Sequence, residues 1–496
     1  MQLQWDKTQI PVLRRKVWEV QNQEQTLEVR LPEDMPDIGH IICGWGQSVL
    51  RGKEWRADSM SISGGVMAWI LFAPEDGSAP RCMEAWLPFN MKWSFSPSQR
   101  DGVIRANISL RGVDARVLSA RKMMVRAAVS ALGEGLEPMF ADYYAPGEAG
   151  DGLQLLKRNY PIRMLTEAGE KNITLDEDLP FAAGKPKKLI CCSINPKMTE
   201  QKVVGGKAVF RGDCDVHAVY MGEDDQLYSE DLTIPFAQYA DLDKDYDKDS
   251  QITAMMAVSH LEPELMEDGL RIKCGFVVQY GILDNMLLDV AQDAYSLTNE
   301  ITANMQELNL PAVLDKRTEQ REISESAPSE HTNIVDSCCF LEQPMTRRNG
   351  MQVDVQVPGV VQVLCRDDSG NYEATHIRFT DAWSVPAGED TDMAVLAWPA
   401  ASPSVSADGE NITVRAAMDA QLTATAEQRI PMISGLEVGE QRQEDPSRPS
   451  MILRRMGDES LWELAKNYGS TVDAIRKANS IEDTAHNGQI LLIPVG

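Results

Sequence analysis

The sequence has little of what marks an integral membrane protein or a secreted one. Its longest apolar run lies around residues 66–73, far short of the roughly 18 apolar residues that span a bilayer. The first residues, MQLQWDK, contain no apolar segment of the kind that a secretory signal carries. We therefore expect the protein to remain in the compartment where it is made.

Basic residues are also scarce. The chain has 48 lysines and arginines against 75 aspartates and glutamates, a net charge of −27. Its densest basic run, KPKK at residues 185–188, is short. Because nucleic acids and anionic membranes are negatively charged, they would be repelled. The composition therefore predicts no nucleic-acid partner and no transmembrane segment.

Signatures of catalysis are missing as well. The sequence has no Gly-x-Ser-x-Gly, no Gly-x-Gly-x-x-Gly and no Walker loop. The six histidines are scattered, and we interpret each as a surface or internally hydrogen-bonded residue. We expect no catalytic residue, no metal site, no cofactor and no enzymatic activity.

The nine cysteines are odd in number and include no Cys-x-x-Cys. Two pairs are adjacent, at residues 191–192 and 338–339, a spacing that places two thiolates poorly on one tetrahedral metal. With no secretory signal, this pattern predicts free thiols in a reducing compartment.

What the sequence does contain is an internal repeat of about 147 residues. Its landmarks recur in the same order: a cysteine, a glycine, a Pro-Phe dipeptide in the first two units, and a Val-Arg-Ala-Ala-like segment. The glycines are Gly65, Gly212 and Gly359, and the cysteines are Cys43, Cys191 and Cys338. The glycine predicts a bulge or a bend, the cysteine a small buried side chain, and Pro-Phe the end of a strand with a core phenylalanine.

Each repeat has the pattern of β-structure. Apolar residues alternate with polar ones, as at residues 272–280 and 412–422, which is typical of strands with one buried face. Polar turns separate pairs of such segments. The length of about 500 residues suggests about three domains and a remainder. The sequence therefore predicts a mainly β protein with three tandem β-sandwich or barrel-like repeats.

Polar stretches suggest the boundaries. We expect repeats at residues 1–145, 153–310 and 331–436, then a flexible linker at 437–450 and a small module at 451–496. A charged stretch at 315–330 is interpreted as a connection between repeats, preceded by a short helix at 291–308. The linker has no apolar periodicity and contains two prolines.

The last 46 residues predict a different fold, strand-helix-helix-strand. Ser460 and Glu463 form a capping-box pattern, and Gly469 is placed to end the first helix. Asn479 closes the second helix, and GQILLIP at residues 488–494 is a strand. Trp462, beside Leu461, is interpreted as a core residue of this small α/β module.

These residues resemble a LysM domain from end to end. In LysM domains the ligand groove lies between the first strand–helix loop and the last helix–strand loop, which implies a partner-binding groove here. The residues implied are Asp458, Glu459, Ser460, Asn479, Ser480, Ile481 and Glu482. Because the groove is acidic and includes an apolar residue, it favours a protein with a basic rim over an uncharged glycan.

The repeats carry a second resemblance. The segment LPEDMPDIGHI at residues 31–41 is similar to the opening of the SPOCS (spore coat) repeat, and IPF at 234–236 to its middle. SPOCS repeats before a C-terminal LysM domain resemble the SipL family. This resemblance implies a scaffold in spore coat assembly, located in the mother-cell cytoplasm at the forespore surface. Its implied partner is a coat morphogenetic protein, a SpoIVA-like ATPase, with other coat proteins as further partners.

Two other functions remain open. A LysM domain also suits a cell-wall protein that binds peptidoglycan or chitin, with the repeats as a stalk. A subunit of an exosporium or appendage is the third possibility. Because a wall-binding protein must be exported, the lack of a secretory signal favours the coat scaffold.

Overall fold

The computed structural model describes residues 2–147, 152–443, 448–481 and 486–495, and most of these residues lie in antiparallel β-strands. This confirms the predicted mainly β fold. The first unit folds as two three-stranded sheets, ordered β2-β7-β6 and β3-β4-β5. Its strands are β2 (Lys7–Arg30), β3 (Ile38–Arg56), β4 (Ser59–Pro74), β5 (Arg81–Ser94), β6 (Val103–Ser119) and β7 (Lys122–Tyr144); a short strand, β1 (Gln2–Gln4), precedes them.

The second unit repeats this plan, with sheets ordered β12-β13-β8 and β11-β10-β9. In both units the two sheets alternate buried and exposed side chains and enclose a sandwich core. The strands of the second unit are β8 (Leu153–Pro180), β9 (Pro186–Val204), β10 (Lys207–Gly222), β11 (Leu227–Asp241), β12 (Gln251–Leu265) and β13 (Gly269–Ser296).

The third unit follows the same order with two interrupted strands. One sheet pairs β14 with β21, and β19 and β20 also pair with β21; in the other sheet, β15, β16 and β18 all pair with β17. The strands are β14 (Asn299–Pro328), β15 (Asn333–Leu341), β16 (Met345–Asn349), β17 (Gln352–Arg366), β18 (Tyr372–Pro386), β19 (Asp392–Pro399), β20 (Ser404–Ala407) and β21 (Asn411–Gln441). β1 also pairs with β21, so the start of the chain closes onto the third unit.

The first and last strands of each unit are long, up to 31 residues in β21, and they extend beyond the sandwiches. Their extensions pack together in one apolar cluster that draws on all three units. Its buried members are Ile10, Val12, Ile162, Met164, Leu288, Val290, Leu308, Leu310, Ala312, Ile430 and Met432. The three units therefore share a core and are not separate domains joined only by linkers.

These long strands correct two predictions. Residues 291–308 do not form a helix, because they continue β13 and begin β14. The charged stretch at 315–330 is not a connecting loop, since β14 runs to Pro328 and pairs with β21. Its polar composition has a simple cause: alternate side chains face solvent, while Ile323 and Ala327 pack on the third sandwich.

The repeated glycine has the same structural role in all three units, although in the first unit the residue is the neighbour of the one that the sequence indicated. Gly212 and Gly359 lie opposite Phe236 and Phe379 on the neighbouring strand, and the first unit's equivalent is Gly64 opposite Phe89, not Gly65. In all three cases a Cβ on the glycine would stand within 2.7 Å of the phenylalanine ring. The glycine thus makes room for a ring that lies over the strand.

The Pro-Phe dipeptides lie inside strands, not at their ends. Pro88 is in β5 and Pro235 is in β11, each the edge strand of its sheet. An edge strand tolerates proline because one side of its backbone has no ladder partner. The phenylalanines are buried, as expected.

We predict that Gly212→Ala destabilises the protein by about 1–3 kcal/mol, the cost of overpacking a filled core. The new Cβ would stand 1.9 Å from the Lys197 carbonyl oxygen and 2.7 Å from the Phe236 ring. Gly184→Ala is the control, because no atom lies within 4 Å of its Cβ position. Denaturant unfolding measures both; equal midpoints would contradict this account of the repeated glycine.

The C-terminal module consists of β22 (Met451–Arg455), α1 (Leu461–Tyr468), α2 (Val472–Asn479) and β23 (Ile490–Pro494). β22 and β23 pair antiparallel, and the helices pack on one face of the pair. In the part of the chain that the structure describes, no helix is long or apolar enough to cross a membrane.

Candidate interaction site

The module folds as its local sequence predicts. Ser460 Oγ accepts a hydrogen bond from the Glu463 backbone N–H, and the Glu463 carboxylate accepts one from the Ser460 N–H at 2.7 Å. Gly469 ends α1 in the left-handed region, with φ of 61°. Thr471 caps α2 through the Ala474 N–H. The capping box and both predicted helix ends are therefore present.

The first loop of the predicted groove contains Asp458, Glu459 and Ser460. Asp458 Oδ1 accepts a hydrogen bond from Asn487 Nδ2 at 2.8 Å, which ties this loop to the residues just before β23. Glu459 is paired with Arg454 at 2.9 Å, and this hydrogen bond lowers the pKa of Glu459. Ser460 serves the cap. The acidic charge of this loop is thus partly balanced within the module.

The second loop is mostly committed to holding the module together. Asn479 Nδ2 donates to the carbonyl oxygens of Ile475 and Leu492, and its Oδ1 accepts from the Leu492 N–H. Ser480 has a φ of 52° and ends α2. Ile481 packs partly buried against the module core. Glu482, the last predicted groove residue, lies outside the described residues.

The module is docked on the second unit by a set of contacts that we call the Asp293 latch. Asp293 Oδ2 accepts a hydrogen bond from Trp462 Nε1 at 2.8 Å, and Lys466 Nζ lies 2.7 Å from Asp293 Oδ1. The Tyr295 ring meets the Trp462 ring at 4.8 Å, edge to face, and the Tyr295 hydroxyl donates to the Ser470 carbonyl oxygen at 2.8 Å. Burial raises the pKa of Asp293, but the hydrogen bonds from Lys466 and Trp462 outweigh it and lower that pKa.

The latch refines the interpretation of Trp462 as a core residue, because its ring packs against the module core while its N–H bonds Asp293 of the second unit. Trp462 is half-buried and lies between the module and the end of β13. Sequence reasoning missed Asp293 and Tyr295 because they stand far from the module along the chain. The local signal for this contact was the tryptophan itself, because the N–H of a buried indole usually has a hydrogen-bond partner.

Some residues between the three β units, which we call the body, and the C-terminal module are also held by strand pairing or hydrogen bonds. β21 continues to Gln441, so the first part of the expected linker is strand. The Arg442 N–H donates to the Thr298 carbonyl oxygen, and Arg448 donates to that of Tyr468.

A cluster of polar side chains lies where the three units meet. Trp45 of the first unit donates to Asp336 of the third at 2.8 Å, and His217 of the second unit lies between Asp231, at 2.8 Å, and Asp336, at 3.1 Å. Burial alone would lower the pKa of His217, but the two carboxylates raise it to about 10. The imidazole is therefore a cation at neutral pH.

This junction borders a cleft of about 440 Å³, lined by residues of all three units. Lys197 and Asp215 form an ion pair at its wall. Two repeated cysteines, Cys43 and Cys191, are buried around Asp336, whose charge adds to burial in raising their thiol pKa values. All nine cysteines are free. Among the described residues, no group of His, Cys, Asp and Glu is arranged to hold a metal ion.

Two parts of the chain match known protein families. Residues 185–266, which contain β9 to β12, match the SPOCS domain of SipL, and residues 455–494 match the LysM domain. The protein is thus a mainly β chain that combines a SPOCS domain with a C-terminal LysM module, and neither of these domain families is catalytic. The combination matches a SipL-like protein, which confirms the resemblance that the sequence suggested. No curated protein and no solved structure is detectably similar to the chain.

Proposed function

We propose that this protein is a non-enzymatic scaffold in spore coat assembly, whose LysM module binds a coat morphogenetic protein of the SpoIVA-like ATPase type. The observation that carries the proposal is the combination of a SPOCS domain with a LysM module in one chain. In this proposal the protein acts at the forespore surface, from the mother-cell cytoplasm. The SPOCS body would contact other coat proteins.

The docking of the module supports a role in assembly. A module held by the Asp293 latch has a defined orientation on the body, so a partner bound to it would also be placed in a defined way. Such placement matters for building a layered coat. A cell-wall anchor needs only attachment, for which a free tether is sufficient.

We expect the purified full-length chain to bind the coat ATPase and to show no measurable binding of chitin oligomers. Within the predicted groove, Asp458→Lys should weaken ATPase binding by about 1–2 kcal/mol, because reversing a rim charge disturbs electrostatic complementarity. Asp473→Lys, at an exposed position on α2, is the matched control and should bind as the native chain does. Biolayer interferometry measures all of these affinities.

The reverse result would favour the second function. If chitin oligomers or peptidoglycan fragments bind to the native chain and the ATPase does not, the protein is a cell-wall binder through its LysM domain. Equal weakening by Asp458→Lys and Asp473→Lys would remove the groove from the proposed contact.

A further inference from the structure

The outer face of the β22–β23 pair is an exposed apolar surface. In an antiparallel pair, residues directly opposite each other share a face, and the register joins Met451 to Pro494, Leu453 to Leu492 and Arg455 to Ile490. We call these six residues the outer sheet face. Leu453 is 66% exposed and Ile490 60%, whereas on the opposite face Ile493 belongs to the module core and Ile452 packs against it.

The Asp293 latch leaves this face open. The latch uses Trp462 and Lys466 of α1 and the Ser470 carbonyl, all on the helical side of the module. The outer sheet face keeps its high exposure with the body present. A small module that exposes several large aliphatic side chains on one face has the character of a binding surface.

The chemistry of the face selects one class of occupant. It has no aromatic ring for a sugar to stack on, and Arg455 is its only side chain with hydrogen-bonding groups. The net charge of −27 disfavours nucleic acids and anionic membranes. Aliphatic side chains with one charge at the rim suit the apolar side of a protein segment.

The charged residues of β22 and β23 indicate one further property of the partner. The two strands contain Arg454 and Arg455 and no carboxylate. Arg454 is paired with Glu459, whereas Arg455 Nε donates to the Gly488 carbonyl oxygen, and among the described residues no ion pair of Arg455 is found. An acidic side chain on the partner, next to its apolar residues, would therefore meet a cation at this end of the face.

We propose that the outer sheet face is the docking surface for an amphipathic protein segment that presents aliphatic side chains and a carboxylate for Arg455. This inference rests on the proposed function in that it specifies how the module would contact a coat protein. The inference goes beyond the proposed function because it names a surface outside the predicted groove and the chemistry that this surface recognises.

Two probes test the surface on the full-length chain. The first is the purified coat ATPase; the second is a pair of synthetic amphipathic peptides with the same leucines and valines, one ending in glutamate and the other in lysine. Leu453→Ser should weaken binding of the ATPase and of the glutamate peptide at least tenfold. Leu287→Ser is the matched control, since Leu287 is 68% exposed on the second unit, and it should bind as the native chain does.

Charge reversal gives the decisive comparison. The native chain should prefer the glutamate peptide to the lysine peptide at least fivefold, and Arg455→Glu should invert that preference. An inverted preference also shows that the variant is folded, because an unfolded module would lose both peptides. Thermal unfolding confirms the fold of Leu453→Ser.

The outcomes separate this surface from the proposed function. If the ATPase binds native chain and Leu453→Ser equally, the surface is wrong and the function stands; if the ATPase fails to bind but the peptides discriminate as described, the surface stands and that partner is wrong. If the native chain binds neither the ATPase nor the peptides, the surface is overturned. Leu453-dependent binding of anionic vesicles, or Leu453-dependent dimerisation, would also overturn it by showing a different occupant.

Discussion

Asp336→Ala is expected to lower the free energy of unfolding by about 3–5 kcal/mol, the usual cost of removing one partner from a buried ion pair. Asp336 is almost fully buried and is contacted by Trp45 of the first unit and His217 of the second. Its removal leaves the His217 cation with only Asp231 and the Trp45 N–H with no carboxylate. Chemical denaturation measures the loss.

Asp392→Ala provides the control for this variant. Asp392 is an exposed carboxylate in β19 of the same unit, and its removal should change stability by about 0.5 kcal/mol or less. A similar loss in both variants would show that the junction does not stabilise the assembly of units.

The dependence on pH identifies the ion pair as the cause. His217 has a folded-state pKa raised to about 10, above the ordinary histidine value of about 6.5. Its contribution is therefore complete below about pH 6.5 and is lost as the pH rises through 10. The deficit of Asp336→Ala should be largest near pH 6 and should shrink towards pH 10. Lys316, whose pKa burial lowers to about 8, titrates in both proteins, so it largely cancels from the difference.

The local features of the fold could be predicted from the sequence, and the shared core could not. Hairpins and alternating strands follow from side-chain period and turn residues, which are local properties. Residues 291–308 contain polar and apolar residues in an order that is also compatible with a helix. Their strand conformation is decided by Leu308 and its neighbours packing against strands of the other two units, a tertiary effect that local propensity does not encode.

The same distinction applies to the candidate site. Capping residues place the loops of the LysM module correctly from sequence alone, because a cap acts over three residues. Whether a loop side chain is available to a partner depends on distant contacts. Asn479 is committed to β23, and the outer sheet face emerges only when the register of β22 against β23 is known.

The residues of the junction that differ between the repeats could not be found by comparing the repeats. Cys43 and Cys191 lie at equivalent strand positions and are buried near the centre, as their recurrence suggested. His217 and Asp336 do not recur, so the repeat gave no sign of them. A scattered histidine becomes informative only when the fold brings two carboxylates to it.

Trp462→Ala is expected to release the LysM module from the body without unfolding it. The change removes the hydrogen bond to Asp293 and the edge-to-face contact with Tyr295, together worth about 2–3 kcal/mol. Hydrogen exchange should then become roughly 30- to 150-fold faster at the end of β13, around Tyr295, because exchange there follows local opening. The amides of Leu464 and Ala465 should stay protected, since their packing with Ile475 and Leu491 is intact.

Smaller changes at the latch separate its parts. Asp293→Asn keeps an oxygen for the Trp462 N–H but removes the charge that faces Lys466, so it should accelerate exchange less than Trp462→Ala does. Trp86→Ala, at an exposed position on the first unit, should leave the exchange of both regions unchanged.

Because the pKa of Asp293 is lowered, the stabilisation by its carboxylate is present above the ordinary aspartate value of about 3.9 and is lost as the pH falls through the lowered pKa. Loss of protection at Leu464 in Trp462→Ala would show instead that Trp462 holds the module core together, and equal exchange at Tyr295 in the native chain and the variant would show that the latch does not hold the module in solution.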